Sequence, residues 1–491
     1  MQRKASAKRI VEEAIKKGYT ITKKALDLLQ SAEAPLQILN EAIDKLEEET
    51  PKTLLIDERL IEELLKPSEK PCQESVREED RGELEVSIEI EVDERYLREW
   101  RIQGSLAEFQ KHFRNRYEKI SRILRERLGA VTDVLSALKL REGQDAYIIA
   151  AVLEKSESKK AWILRVDDPS SEATIIAPKN GDVASIAEKI LPDSVIGFKV
   201  QKHERSLIAR EIFLPEIALR NVEKTDLDAY ACLISDIHVG SKHFREDLFE
   251  SFLDWLNREG DPEARKTRVL IIAGDAVDGI GVYPNQDKEL EITSIDEQFR
   301  RLSRLLAEIP EHVTIMIGVG NHEPVQKALP QPPLQEKYRS ILKRSGRQIV
   351  FLGNPAWIKL SGRPFLVYHG QGLDDVIQII PGFSHSTLKN DIGKVLELLI
   401  RHRHLCPIHG ESTPLLPTEE DLLVVDKIPS VFHSGHVHVA YAGSYQGIRM
   451  INSGTWQEQT SYQRNVGLEP TVGTAILVNL GDLSIKMKKF V

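Results

Sequence analysis

The sequence predicts an α+β multidomain chain, with a small N-terminal helical domain, an OB-type β-barrel and a large C-terminal α/β domain. Three observations carry this. Apolar residues recur at helical spacing over 1–48, short β-rich runs succeed one another over 131–218, and apolar runs closed by polar clusters fill 226–491. The 491 residues are 41% hydrophobic and 29% charged, which excludes a wholly disordered chain. Lys and Arg number 67 against 76 Asp and Glu, a net charge of −9, so any nucleic-acid surface must be local. Cys72, Cys232 and Cys406 stand far apart with no Cys-x-x-Cys pair, which excludes a disulfide scaffold and argues against a zinc finger. No apolar run reaches the roughly 18 residues a membrane span needs, and the basic start MQRKASAKRI has no apolar region after it. A soluble, cytoplasmic protein with no membrane association is expected.

The first domain, 1–48, reads as three short helices. Ile10, Val11, Ala14 and Ile15 mark the first, Leu26 and Leu29 the second, and Leu36, Leu39, Ile43 and Leu46 the third, with Pro35 at its start. So little apolar surface suits a docking domain. Residues 49–130 read as a linker that carries one helix. Its stretch 67–85 is rich in Pro, Glu and Ser and has no usable periodicity. Beyond it, Phe109, Phe113, Tyr117, Ile120, Leu124 and Leu128 form one apolar stripe. Lys111, Arg114, Arg116, Lys119, Arg122, Arg125 and Arg127 sit between them against Glu118 and Glu126, a local excess of five positive charges. A solvated basic face is the simpler reading. Phosphate contact through Arg114, Arg116 and Arg122 is the alternative.

Over 131–218, five β-rich runs with a helical interruption near 183–190 fit a small Greek-key barrel of the OB type. Such barrels often bind single strands, but only Tyr147, Trp162 and Phe198 could serve as stacking platforms. A spacer or docking barrel is the preferred reading.

The chemistry lies in 226–491. The run 231–234 leads into Ser235-Asp236-Ile237-His238, and 269–273 into Gly274-Asp275-Ala276-Val277-Asp278. The run 313–317 leads to Gly320-Asn321-His322-Glu323, 365–368 to His369-Gly370, and 430–433 to Gly435-His436-Val437-His438. A sixth run, 449–451, ends at Asn452-Ser453-Gly454. Sites of α/β folds gather at strand ends, where rigid strands hold converging loops. Alternation within Asp-x-His and His-x-His is expected to put both side chains on one side of an extended segment. Two Asp, one Asn and four His suit Mn, Fe or Zn, and the lack of thiolate argues against structural zinc. Seven donors exceed the need of one divalent ion but fit two ions sharing a carboxylate.

The order Asp-x-His, Gly-Asp-x-x-Asp, Gly-Asn-His-Glu, His-Gly, Gly-His-x-His resembles the calcineurin-like metallophosphoesterase superfamily over the C-terminal half. That resemblance implies a two-sheet sandwich flanked by helices, with metals on loops at one edge. It implies one ion held by Asp236, His238, Asp275 and His438, and a second by Asp275, Asn321, His369 and His436. It also implies that His322 contacts the phosphate or the leaving group. The metals expected are two divalent ions, Mn²⁺ first, with Fe²⁺ or Zn²⁺ compatible.

The order of segments along the whole chain is similar to that of the small subunits of archaeal family D DNA polymerases. Further matching stretches are GDAVDGIG (274–281), RHRHLCPIHG (401–410), 414–417 and SGTWQEQ (453–459). The resemblance implies a 3′–5′ proofreading exonuclease that acts on DNA 3′ ends and pairs with a large polymerising subunit. Related eukaryotic accessory subunits have lost the ligands and act as scaffolds. Here all seven positions are filled, which disfavours an inert scaffold, and the long N-terminal half disfavours a free-standing phosphatase. Three residues depart from superfamily patterns or add to them. Asp278 stands where double-strand-break repair nucleases carry a His, so His322 is left as the main phosphate-side proton donor. Glu323 replaces a common Asp and is expected to orient His322. His409 is an extra imidazole, expected beside the ligands or in a structural role.

Overall fold

The computed structural model describes residues 7–31, 38–39, 42–43, 55–65 and 87–490. It divides into two compact units, Met1–Glu83 and Leu84–Val491. The stretch 67–85 read as a flexible linker, most of the third N-terminal helix, and Cys72 lie outside the described residues.

In the first unit, helices Ala7–Lys16 and Lys23–Ser31 flank the short strand β1 (Thr20–Ile21). β1 pairs in parallel with β2 (Leu55–Ile56), and helix Glu58–Leu65 follows. Ile10, Ala14, Leu29 and Ile43 share a buried cluster with Ile56 and Ile61. The small core thus recruits residues beyond the expected boundary at 48. Three short helices alone bury too little surface, and the added strand and helix close the deficit.

The second unit begins with β3 (Ile90–Val92) and the long helix Leu106–Leu128, which Ser105 and Glu108 open with a reciprocal capping box. A closed five-stranded barrel follows, built from β4 (Asp145–Glu157), β5 (Ala161–Asp168), β6 (Ser171–Pro178), β7 (Val195–His203) and β8 (Ser206–Phe213). Its strand order is β4-β5-β6-β8-β7, and helix Gly181–Ala187 bridges the third and fourth strands. Phe198 and Trp162 are buried in its core, so two of the three candidate platforms are unavailable for stacking.

Two six-stranded sheets complete the fold. The first contains β9 (Tyr230–Ile234), β10 (Thr267–Ile272), β11 (Thr314–Ile317), β12 (Ile349–Phe351), β18 (Thr474–Asn479) and β19 (Ile485–Lys489), in the order β12-β11-β10-β9-β18-β19. The second contains β13 (Ala356–Leu360), β14 (Arg363–Val367), β15 (Val431–Ser434), β16 (Ala440–Tyr445) and β17 (Ile448–Ser453), with β3 at its edge, in the order β16-β17-β15-β14-β13-β3. β3 lies in the span read as linker. Three alternating residues, Ile88, Ile90 and Val92, suffice to dock it on the apolar layer beside β13.

Period-two alternation divides each strand between two cores. Leu233, Ile271, Phe365, Val367, Val431 and Ile476 meet in the layer between the sheets. Cys232, Ile234, Leu270 and Ile272 face outward, against Phe249, Phe252, Phe299 and Leu302 of flanking helices. On the other side, Leu366, Tyr368 and Phe432 meet Val395, Leu396 and Leu399. Strands covered on both faces read as unbroken apolar runs, which is why β9 is buried at every position. No helix among the described residues is long and apolar enough to cross a membrane.

Candidate metal centre

The parallel strands β9, β10 and β11 deliver their polar clusters to one edge of the first sheet, and β14 and β15 deliver theirs in the second. The loops are stitched together by backbone. The Asp236 N–H donates to Gly274 O at 3.0 Å, and the His238 N–H donates to Asp275 O at 3.0 Å. The segment 453–459 supports them from the side: the Trp456 N–H and the Thr455 hydroxyl both donate to Asp236 O, at 2.9 and 2.8 Å.

Asp236, His238, Asp275, His436 and His438 all have φ between 49° and 70°. The expected extended Asp-x-His and His-x-His geometry is therefore replaced by left-handed kinks. The side chains still converge, and the intervening Ile237 and Val437 are buried in the cores of the two flanking layers. A non-glycine residue in this region costs about 1–3 kcal/mol, and such residues concentrate at functional sites. Backbone closeness is equally demanding at Gly320, where a Cβ would run into Asp275 Oδ1 and His369 Nε2.

Three donor groups result, each with its atoms within 4.8 Å of one another: Asp236, His238 and His438; Asp275, His369 and His436; and His238, Asp278 and His322. In the first, His238 Nε2 lies 3.1 Å from His438 Nε2, and His438 Nε2 lies 3.4 Å from Asp236 Oδ1. In the second, His369 Nε2 lies 3.2 Å from Asp275 Oδ2 and 3.1 Å from Asn321 Oδ1. Asn321 Oδ1 also lies 3.0 Å from His436 Nδ1. Asp275 Oδ2 is 4.0 Å from His238 Nε2, so its carboxylate stands between the two groups. Electron-pair donors crowded this closely, and almost fully buried, repel one another unless a cation or proton sits among them. The donor chemistry thus fits divalent metal binding.

Outer partners fix which ring nitrogen faces inward. His369 Nδ1 donates to Ala273 O at 2.8 Å, His238 Nδ1 to Asp278 Oδ1 at 2.9 Å, and His436 Nε2 to Asp374 Oδ2 at 2.9 Å. The nitrogen opposite each is left free for a metal. Asp278 therefore holds the ring of His238 in place. Burial pushes the His369 imidazolium down, but the Asp275 carboxylate outweighs it and raises this group to about 10. Burial likewise opposes ionisation of Asp275, yet His369 and His322 hold it well below the usual carboxylate range.

Glu323 does not orient His322 directly. Its carboxylate accepts the backbone N–H groups of Gly320, Asp275 and Ala276 at 2.7, 3.0 and 2.7 Å, clamping the two loops together. Its longer arm reaches past His322 to the neighbouring turn. Burial, with Asp275 nearby, pushes it up to about 7. His322 is set instead by Asp278, whose carbonyl accepts from His322 Nδ1 at 2.6 Å. His322 Nε2 then faces the pocket, 3.9 Å from Asp275 Oδ2. Burial holds its pKa below the usual histidine value.

His409 stands apart from the donors. It is exposed, its ring lies 5.1 Å from Phe109 and 5.4 Å from Phe113, and its N–H donates to Asp193 at 2.9 Å. It is a structural contact. Arg114 and Arg122 lie exposed on the helix Leu106–Leu128, but Arg116 is buried and paired with Asp421. The buried face of that helix is His112, Arg116, Ile120, Ser121 and Leu124, which rotates Arg116 out of the solvated set. None of the three arginines lines the metal pocket.

Sequence reasoning missed Asp374 and Gln463, whose amide lies 2.8 Å from His438 Nδ1. It also missed Tyr283 and Tyr462, which line the pocket of about 270 Å³ over the donors. Asp374 stands in the first turn of a helix five residues after His369, and that helix-initial acid was the one available signal.

Residues 231–442 match the family model for the B subunits of DNA polymerases alpha and epsilon. The chain is 39% identical over 378 residues to the DNA polymerase II small subunit of Pyrococcus horikoshii, covering 75% of this chain and 60% of that protein. It therefore spans less than two thirds of that relative's length. It is 33% identical over 489 residues to the DNA polymerase II small subunit of Archaeoglobus fulgidus, covering 98% of this chain and 97% of that one. A solved archaeal phosphodiesterase is similar over 53% of this chain and 98% of its own at 12% identity, with a TM-score of 0.26. Near-complete, mutual coverage at one third identity decides the matter: this chain belongs to the family of DNA polymerase II small subunits.

Proposed function

We propose that this chain is the 3′–5′ exonuclease subunit of a replicative DNA polymerase and works beside a larger polymerising subunit in the cytoplasm. The observation that carries the reading is the pair of buried donor groups meeting at Asp275, with His322 Nε2 turned into the same pocket. An inert scaffold has no use for five strained ligand positions.

Asp236, His238, Asp275 and His438 would hold one divalent ion, and Asp275, Asn321, His369 and His436 the other, with Mn²⁺ the first choice. Bound there, two ions supply an acidified water and neutralise charge on the phosphoryl oxygens. The chain does the rest. Asp278, Ala273 and Asp374 keep the imidazoles oriented, and the Glu323 clamp fixes the spacing of the loops that carry Asp275 and Asn321. His322 keeps its Nδ1 proton on the Asp278 carbonyl, so Nε2 alone meets substrate. With its pKa depressed it waits neutral; beside an arriving phosphodiester anion Nε2 takes up a proton from solvent and passes it to the departing 3′-oxygen. A pocket of about 270 Å³ has the scale of a single nucleotide unit, which suits a frayed or single-stranded 3′ end.

The test is incubation of the purified chain, alone and with its polymerising partner, with a 3′-labelled oligonucleotide and Mn²⁺, with EDTA as control. Release of labelled mononucleotide that EDTA stops supports the reading. Intact label under every condition removes it.

A further inference from the structure

Of the large apolar side chains in the described residues, few are well exposed, and one of these, Tyr462 at 62%, lines the metal pocket. Ile280 is 49% exposed and lies two residues from Val282, which also lines it. Tyr283 lines the pocket too, with its ring 6.2 Å from that of His322 and its hydroxyl donating to Glu289 at 3.0 Å. By contrast, no Lys or Arg of the described residues lines the pocket. A phosphodiester site usually gains affinity from basic side chains along the backbone. Here the charge of the phosphate is left to the metal-ligating centre, and the rest of a nucleotide meets an aromatic and aliphatic rim.

Tyr462 is held in a definite place. It sits in the first turn of helix Ser461–Val466, which Thr460 and Gln463 open with a capping box, and the Gln463 amide lies 2.8 Å from His438 Nδ1. The helix therefore ties Tyr462 to a ligand loop. An exposed, positioned ring beside a site for a single phosphate is a surface for a flat, apolar ligand face.

We propose that Tyr462 is the stacking platform for the nucleobase adjoining the scissile phosphate. It selects unpaired nucleotides without reading their identity, because every base has a π-face while a paired, stacked base cannot reach the ring. This proposal rests on the nucleotide-directed reading given above for the same pocket.

The experiment compares binding of dAMP and of 2-deoxyribose 5-phosphate to the Mn²⁺-loaded full chain by calorimetry, for wild type, Tyr462→Phe and Tyr462→Ala. Wild type and Tyr462→Phe should bind dAMP about tenfold more tightly than the sugar phosphate, and Tyr462→Ala should lose that preference. Equal affinities in wild type, a preference surviving in Tyr462→Ala, or an equal loss of both ligands in that variant overturns the proposal. Because the readout is binding, it is separable from the nuclease reading. A base preference carried by Tyr462 in a chain that never cleaves the labelled oligonucleotide keeps the platform and removes the exonuclease.

Discussion

Arg116 and Asp421 form a fully buried ion pair, Nε to Oδ2 at 2.8 Å, that binds the basic helix to the segment before β15. Arg116 also donates to Pro407 O at 2.6 Å and to Asp193 O at 3.3 Å, so one guanidinium joins the helix, the barrel domain and the sandwich. His404 Nε2 adds a second donor to the same carboxylate oxygen at 3.0 Å. Breaking a buried pair strands the remaining charge.

Arg116→Ala should therefore destabilise the chain by about 3–5 kcal/mol, read as a fall in the urea midpoint. Arg114→Ala and Arg122→Ala, away from that buried pair, should stay within about 0.5 kcal/mol of wild type. An unfolding midpoint unchanged by Arg116→Ala would show that the pair contributes nothing. The other two arginines remain candidates for DNA. If they meet single-strand phosphates, each substitution lowers the salt slope of oligonucleotide binding by roughly 0.7, and an unchanged slope removes them.

Asp374 accepts from His436 Nε2 and so turns Nδ1 toward Asn321. Asp374→Ala frees the ring to rotate and should weaken divalent-metal binding about 10- to 100-fold by titration calorimetry, with the fold unchanged. Asp374→Asn, which still offers an accepting oxygen, should fall between. Wild-type metal affinity in Asp374→Ala would mean that packing alone orients His436.

These two residues mark where sequence reading stops. The seven expected ligands were readable because each follows closely on an apolar run, and those runs are β9, β10, β11, β14 and β15. Asp374 reaches the site from a helix, where an acidic first turn is ordinary, and only the fold brings it to His436. Arg116 is one of seven basic residues at mixed spacing. Periodicity placed Phe109 and Phe113 in the apolar stripe and left Arg116 outside it, whereas Asp421, 305 residues further along, decides that Arg116 is buried. The left-handed kinks at the ligands leave no local trace, since propensity disfavours them and tertiary contacts impose them.

His322→Ala should keep metal binding and lose hydrolysis, because the His322 ring is held through Nδ1 by the Asp278 carbonyl and its Nε2 is turned to the pocket. A loss of about 100-fold or more in kcat fits removal of a positioned proton donor. His436→Ala should instead lose metal affinity and activity together. Elemental analysis separates the two: a metal-depleted His322→Ala would make that imidazole a ligand.

The pH dependence of stability has its own carriers, away from the metal centre. Burial lowers His402 and His404 to about 4. Both are held neutral: His402 Nδ1 donates to Leu398 O at 2.8 Å, and His404 Nδ1 accepts from the Cys406 N–H at 3.1 Å. In the unfolded chain these groups take up protons near pH 6.5, so between about 6.5 and 4 the unfolded state binds more protons than the folded one. Their contribution is complete above about pH 6.5 and is lost as pH falls through the window toward 4, by up to roughly 3 kcal/mol for each group. His402→Gln should accordingly lose stability at pH 7 but show a shallower decline on acidification than wild type. Urea unfolding of both chains at pH 7, 6 and 5 checks this, and parallel declines would mean that His402 does not titrate with folding.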